Sequence, residues 1–380
     1  MKRVLFIATT NLNNKDGGAL GQVGYLSSCK YLTCNNLDVV MPEELRGERY
    51  SSAIGAPHRP LWMSLFSGSI HRYKGFLRQY LTNHRGTYDI CIVNGGIYAG
   101  DMMDLLHSFG LKVVVFHLNY EPDYQMDNKS LWTLKGRTDF FVKYNERRAY
   151  QKADFNCFMT EADRKLFAKN YGEVNIPSEV IGCYEIKPIE EPNVCMPRGE
   201  KMNMAITGSM NTLQTLCGIR EFRDKYYDIF KDVCHGWGVV IAGRNPDSEI
   251  YDFEKKNSER IKVIPNPDSM DDIINDSSIF LCPTNVGGGI KLRLMDGLKH
   301  GRPVLVHQVS ARGYETLFNE PYFKVYYDEG SFRKGLTELV EYVNNRFSPD
   351  DILREYLSYF SFEEGTERYR KVFDTLRNVL

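Results

Sequence analysis

Three consecutive glycines, Gly287, Gly288 and Gly289, stand just ahead of Lys291 and Arg293. Glycine lets a backbone come close to a ligand. The run Ile279 to Cys282 before them is apolar and fits a buried strand, and a helical pattern follows. A helix opening after such a turn offers free N–H groups and a positive dipole end, which suits a phosphate. The spacing places Lys291 and Arg293 in the first helical turn, where the dipole alone would prefer anions. Two cations make sense there if an anion is to be bound, so the segment predicts a site for something diphosphate-like. Ile290, Leu294 and Leu298 form one stripe of this helix, with Met295 beside it. Arg293 and Asp296 fall on the opposite side and adjacent to each other. One face would then carry a cation for a phosphate and a carboxylate for a sugar hydroxyl. The same spacing also suits a surface salt bridge, worth only tenths of a kcal/mol. Gly301, Arg302 and Pro303 stop the helix, and Val304 to Val306 reads as the next strand.

The elements that must position this segment alternate along the chain. Strands are predicted at Val4–Ala8, Leu37–Val40, Ile90–Val93, Val113–His117 and Phe155–Met159. A second set is predicted at Met204–Thr207, Val239–Ala242, Ile261–Ile264, Ile279–Cys282 and Val304–Val306. Helical patterns separate them. Such alternation argues for an α/β protein with parallel sheets covered by helices on both faces. Two sets argue for two doubly wound, Rossmann-like domains. The expected boundaries are 1–186 for the first domain and 201–360 for the second. Residues 187–200 hold three prolines and no periodic pattern, and read as a linker. Residues 361–380 form a charged helix expected to pack back toward the N-terminal domain. A ligand would sit between the domains, at the C-terminal strand ends.

Composition narrows the function classes. The 380 residues are 42% apolar and 13% aromatic, enough for two substantial cores. Net charge is −1, so no global field points to nucleic acid. No run of 18 apolar residues is present, which excludes a spanning helix. The opening residues start a strand directly, and their apolar stretch is too short for a signal peptide. Nine cysteines without a CxxC pair fit a reducing cytoplasm and free thiols. Eight histidines include no HExxH, and no Asp-x-Asp occurs, so neither a metal nor another resident cofactor is expected.

Several segments in order resemble one family. Gly17, Gly18 and Gly21 follow strand one, and His117 ends the Val113 strand. Residues 144–154 run into Phe158 and Thr160. Gly208 opens the second domain, Gly243 and Arg244 follow a later strand, and the glycine loop comes last. Over nearly its whole length the chain is similar to GT-B glycosyltransferases, most of all to family 4 of the retaining enzymes. The resemblance implies two Rossmann-like domains facing each other across a cleft. It implies transfer of a sugar from a nucleotide-sugar, with retention and without an essential metal, and a donor held mainly by the second domain. The first domain is then the acceptor side.

Two departures matter. The family has two glutamates eight positions apart in this region, and the matching positions here are Gly288 and Asp296. Asp296 keeps a carboxylate for a ribose diol, while contacts to the donor sugar lose their first partner. Many relatives carry an arginine and a lysine after the position of Gly208, where this chain has Ser209 to Gln214 without a cation. Phosphate binding then falls on Lys291, Arg293 and the amides of Gly287 to Gly289, with Arg244 secondary. The resemblance gives His117 a role toward a donor hydroxyl, although a histidine after an apolar run is also an ordinary core group. Glu121 and Asp123 are alternatives close by. Gly17 and Gly18 suit a loop closing over phosphate or acceptor, and equally an ordinary turn. A dinucleotide reading fails on the missing GxGxxG spacing.

From Arg49 to Tyr88 no Asp or Glu occurs. Arg49, Arg59, Arg72, Lys74, Arg78 and Arg85 alternate there with Trp62, Phe66, Tyr73 and Phe76. Lys129, Lys135, Arg137, Lys143, Arg147 and Arg148 add a second cationic stretch. Such a face suits anionic lipid headgroups or a lipid-linked diphosphate, or is a solvated surface. The expectation is a cytoplasmic enzyme, peripheral at the membrane. It would act on a glycan or lipid-linked acceptor in surface polysaccharide or glycolipid synthesis. Two alternatives remain open: a non-catalytic sugar-nucleotide or glycan binding protein, and a sugar-nucleotide epimerase.

Overall fold

The computed structural model describes residues 3–9, 12–13, 17–43, 50–57, 74–122, 139–197 and 202–377. The chain divides into two compact units. One is Met1–Pro188 with Phe360–Leu380, and the other is Ile189–Tyr359.

Among the described residues, the first unit holds seven strands. They are β1 (Arg3–Ile7), β2 (Leu37–Pro42), β3 (Ile54–Ala56), β4 (Tyr88–Asn94), β5 (Lys112–His117), β6 (Phe155–Phe158) and β7 (Ser178–Val180). All neighbours pair in parallel, in the order β3-β2-β1-β4-β5-β6-β7. Helices cover both faces, so the central strands are buried throughout. Val4, Leu5, Phe6 and Ile7 are all fully inside, as a parallel strand requires. The helix Gly96–Ser108 follows β4 and packs on Asp139–Lys152. Contact is so close that a β-carbon on Gly100 would overlap the Asn145 carbonyl. The C-terminal helix Phe362–Arg377 lies against Gly17–Leu32. The Ser28 and Thr366 hydroxyls bond across that contact at 2.7 Å, and Tyr369 meets Phe116 edge-on at 5.3 Å.

The second unit repeats the plan with β8 (Asn203–Ser209), β9 (Gly238–Arg244), β10 (Ile261–Pro265), β11 (Ile279–Cys282), β12 (Val304–His307) and β13 (Phe323–Tyr326). The order is β10-β9-β8-β11-β12-β13, again parallel. In each sheet the winding reverses between the first strand and its neighbour across the middle, β1 and β4 or β8 and β11. That reversal opens a crevice at the C-terminal strand ends, where such folds bind ligands. The Pro-rich segment is tied onto this unit. Arg302, fully buried, donates from its guanidinium to the carbonyls of Asn275, Ser277 and Cys195. Burial without a carboxylate partner pulls its pKa down to about 10.

All ten expected strands are present. Three more, β3, β7 and β13, are short edge strands. Among the described residues, no helix is long and apolar enough to cross a membrane.

The terminal helix offers a direct stability test. Gly365 lies flat under the Tyr184 ring, and a β-carbon there would sit 2.0 Å from the ring carbon Cγ. Tyr184 is buried and donates to Ser28 at 2.9 Å, so it has little room to yield. Gly365→Ala should destabilise the protein by about 1–3 kcal/mol, the usual range for overpacking. Urea unfolding measures this, and an unchanged midpoint would show that the ring moves freely.

Candidate functional site

In the second unit the predicted residues gather at the ends of β8, β9 and β11. Gly208 and Gly243 are register partners on β8 and β9. Both have strongly positive φ, 147° and 157°, and a β-carbon on Gly243 would collide with the Gly208 carbonyl. The space beside Gly208 is filled by Arg293. Its guanidinium nitrogens and Cζ would stand 2.2–2.6 Å from a β-carbon on residue 208. Arg293 Nη1 also reaches Thr215 Oγ1 at 3.5 Å. Arg293 opens the helix Arg293–Lys299, which packs so closely on β11 that a β-carbon on Gly297 would overlap the Phe280 ring.

The glycine loop turns through Gly287 (φ 89°) and Gly289 (φ 70°). The Gln214 side chain lies against Gly287, in the space a β-carbon would need. Lys291 folds back onto the loop, and its Nζ donates to the Gly288 carbonyl at 2.7 Å and the Gly287 carbonyl at 3.4 Å. Tyr314, fully buried, fixes the base of the turn by donating to the Lys291 carbonyl at 2.9 Å.

Three local expectations change. The helix begins at Arg293, so Lys291 and Ile290 precede it. The entry is a tight turn, with Leu294 N and Met295 N bonding only three residues back to the Lys291 and Leu292 carbonyls at 3.1 and 3.0 Å. The Arg293–Asp296 salt bridge is not formed: Asp296 Oδ1 pairs instead with Lys299 Nζ at 3.0 Å. Gly17 and Gly18 stand in the first turn of the helix Gly17–Leu32 rather than in a loop. The Arg244 side chain is exposed at the end of β9, and its carbonyl accepts from Met210 N at 2.9 Å.

His117 belongs to the first unit and ends β5. It is 1% exposed, packed between Phe158 and Phe167 at 5.1 and 4.5 Å. Its Nε2 meets Asn156 Oδ1 at 2.9 Å, while Asn156 Nδ2 donates to the Tyr150 carbonyl. An amide oxygen only accepts, so Nε2 carries the proton and Nδ1 presents a lone pair. Burial lowers the ring's pKa to about 4, so it is neutral at pH 7. Nδ1 faces the backbone of Gly96, where a β-carbon would lie 2.7 Å away.

Sequence reasoning missed the surroundings of that nitrogen. His117 Nδ1, both Asn94 amide atoms and Gln22 Nε2 are buried without partners among the described residues. Thr9 links them, donating to the Asn94 carbonyl at 2.6 Å and from its N–H to Gln22 Oε1 at 3.4 Å. These groups mark the reversal point of the first sheet, beside the helix Gly96–Ser108, whose N-cap Gly95 supplies no side chain. The pair Gly95 and Gly96 directly after a strand was the available signal. Glu146 gave none. It is buried against Gly96, accepting from Tyr171 Oη at 2.8 Å and Glu121 N at 3.1 Å. Burial raises its carboxyl to about 8 despite those two bonds. Asp123 lies outside the described residues, as do Arg49, Arg59, Trp62, Phe66, Arg72 and Tyr73, and Lys129, Lys135 and Arg137. No group of three or more His, Cys, Asp or Glu side chains suited to a metal occurs among the described residues.

Comparison with solved structures decides the fold. Anabaena HepE in complex with UDP superposes with a TM-score of 0.72 at 9% identity, covering 98% of this chain and 100% of that one. The chain has the GT-B fold. The apo form of the lipopolysaccharide outer core galactosyltransferase WaaB gives 0.70 at 11% identity, covering 99% of each chain. Sucrose-phosphate synthase from Thermosynechococcus elongatus gives 0.70 at 11%, covering 100% of each. No protein-family model matches the chain, and no curated protein matches it by sequence.

The raised Glu146 carboxyl makes stability depend on pH. The folded protein keeps the proton up to about 8, while the unfolded chain releases it near the ordinary 4.5. This contribution is complete below the unfolded value and is lost as pH rises toward 8, at up to about 1.4 kcal/mol per pH unit. Glu146→Gln should flatten that decline. Urea midpoints of both proteins between pH 5 and 9 check it, and parallel curves would disprove the assignment.

Proposed function

We propose that this protein is a glycosyltransferase that moves a sugar from a nucleotide-sugar to a glycan or lipid-linked acceptor. The observation that carries the reading is the Arg293 guanidinium lodged on Gly208 beside the turn of Gly287 to Gly289. When the bond between sugar and diphosphate breaks, negative charge gathers on the leaving phosphate. A preorganised cation and backbone N–H groups stabilise that charge as it develops. Arg293 supplies the cation, the glycine loop supplies close backbone approach, and Lys291 braces the loop from within. The structural neighbours support a nucleotide-sugar donor: HepE is in complex with UDP, and WaaB is a galactosyltransferase.

The neutral His117 offers Nδ1 to a hydroxyl donor, which fits the role toward a sugar implied by the family resemblance. Asp296, one turn along the helix from Arg293, offers a carboxylate for a ribose diol once Lys299 yields it. Retention of configuration, metal independence and use in surface polysaccharide or glycolipid synthesis belong to this proposal through the resemblance. So does the split into acceptor-side and donor-side domains, while the cytoplasmic location is proposed from the nine cysteines without a CxxC pair.

One observation favours a second reading, a non-catalytic sugar-nucleotide binding protein. Gly288 stands where the family has a glutamate, and the remaining carboxylate, Asp296, is engaged by Lys299. Turnover separates the two, since only a transferase releases nucleoside diphosphate.

Thermal shifts with UDP-, GDP-, CMP- and ADP-sugars in EDTA test donor binding. A ligand at about a hundred times its dissociation constant adds roughly 2.7 kcal/mol of stability. Arg293→Ala should abolish the shift. Gly208→Ala should weaken binding on the order of tenfold by displacing the guanidinium, and should also cost about 1–3 kcal/mol of stability, because an L side chain is strained at the φ of 147° found there. A full shift in Arg293→Ala would sink the site.

We also propose that residues 49–85 rest on anionic membrane surfaces. Sedimentation with phosphatidylserine vesicles at low salt should carry the protein down. Recovery in the supernatant at every lipid concentration would end that idea.

A further inference from the structure

The helix after β8 is not uniform. Leu213–Glu221 is α-helical, Phe222–Tyr226 forms a π turn, and Tyr227–Val233 is α-helical again. Such inserted turns are frequent at functional sites. Glu221 is the last residue before the π turn. Its Oε1 takes Lys225 Nζ at 3.0 Å, and its Oε2 takes Asn285 Nδ2 at 2.6 Å. The Glu221 side chain is only 16% exposed, so its bond to Asn285 is largely shielded from water.

Asn285 stands two residues before Gly287. The chain on either side of it is held in different ways. Pro283 and Thr284 are pinned by backbone contact: a β-carbon on Gly218 would overlap the Pro283 carbonyl, and Ser310 Oγ donates to the Thr284 carbonyl at 2.6 Å. From Gly287 onward the loop turns through positive φ. The bond from Glu221 is therefore the side-chain tie at the point where the pinned strand end becomes the glycine turn.

The tie also orients Asn285. A carboxylate only accepts, so the amide nitrogen must face it. That leaves Oδ1 on the other side, buried and without a donor among the described residues. A buried acceptor without a partner calls for one.

We propose that Glu221 is a positioning residue. Acting through Asn285, it sets the height of the Gly287 to Gly289 turn and aims Asn285 Oδ1 at an N–H or O–H of the bound nucleotide-sugar. This rests on the nucleotide reading of the loop given above.

The test uses the full chain and four variants: Glu221→Ala, Glu221→Gln, Asn285→Ala and the double alanine. Amide hydrogen exchange of residues 286–290 is followed without ligand, UDP affinity by calorimetry in EDTA, and stability by urea. Glu221→Ala should speed exchange in the loop and weaken UDP at least fivefold, with the urea midpoint nearly unchanged. Asn285→Ala should match it, and the double variant should be no worse than either single one. Glu221→Gln should recover most of the affinity, because its amide oxygen still accepts from Asn285. Unchanged loop exchange in Glu221→Ala overturns the proposal. So does a loss in the double variant equal to the sum of the singles, or a Glu221→Gln variant as weak as alanine. If the wild-type chain binds no UDP or other nucleoside diphosphate, the nucleotide reading falls by itself, and the exchange arm still decides whether Glu221 holds the loop.

Discussion

A guanidinium lies where residue 208 would carry a side chain, and much of the second unit is built to let it. Parallel strands all end on one edge, so β8 and β11 deliver their following loops side by side at the winding reversal. Gly208 must lack a β-carbon for Arg293 to lie there, and Gly243 must lack one because its register partner's carbonyl is in the way. Arg293 in turn is placed by a seven-residue helix that reaches its depth only because Gly297 sits on the Phe280 ring. Gly208 and Gly297 thus serve one close approach, and Gly243 lets β9 lie against β8 beside it. None of them is explained by the local secondary structure alone.

The polar groups at the two winding reversals have different chemistry. In the second unit Lys291 is bonded to loop carbonyls and Asp296 to Lys299, so the cation aimed at β8 is Arg293. A guanidinium has flat, forked donors, which suit phosphate oxygens. In the first unit burial keeps His117 neutral and raises Glu146 to about 8. What remains there is a set of uncharged donors and acceptors on Gln22, Asn94 and His117. Uncharged groups of both kinds match hydroxyls, which donate and accept at once.

Strand cores were legible because buried parallel strands are continuous apolar runs. Ile279 to Cys282 and Val304 to Val306 could hardly be read otherwise. The edge strands β3, β7 and β13 were not, because three or four half-buried residues such as Ser178 to Val180 carry no period. Gly208, Gly243 and Gly287 were legible as glycines, but their reasons were not. Positive φ can be guessed from sequence; the guanidinium over Gly208 and the Gln214 side chain over Gly287 are contacts across the fold. Spacing misjudged Asp296, since Arg293 and Lys299 are equally distant from it and only the fold directs Arg293 inward. The burial of Glu146 and Glu221 was not legible for the same reason. A glutamate in a charged helix looks solvated until its partners, Tyr171 and Asn285, arrive from distant parts of the chain.

The departure after Gly208 then has a physical answer. The family resemblance implies an arginine and a lysine in the loop that leaves this strand, and the chain has none between Ser209 and Gln214. A diphosphate near the strand end would still need a cation there. The structure places one beside Gly208, but it enters from the opposite side of the winding reversal, on the helix after β11. This placement needs a glycine at 208 to make room and a small hydroxyl at Thr215 to meet the guanidinium edge. Gly287 and Gly289 turn the loop ahead of that helix through positive φ, and the Gln214 side chain fills the space a β-carbon on Gly287 would need.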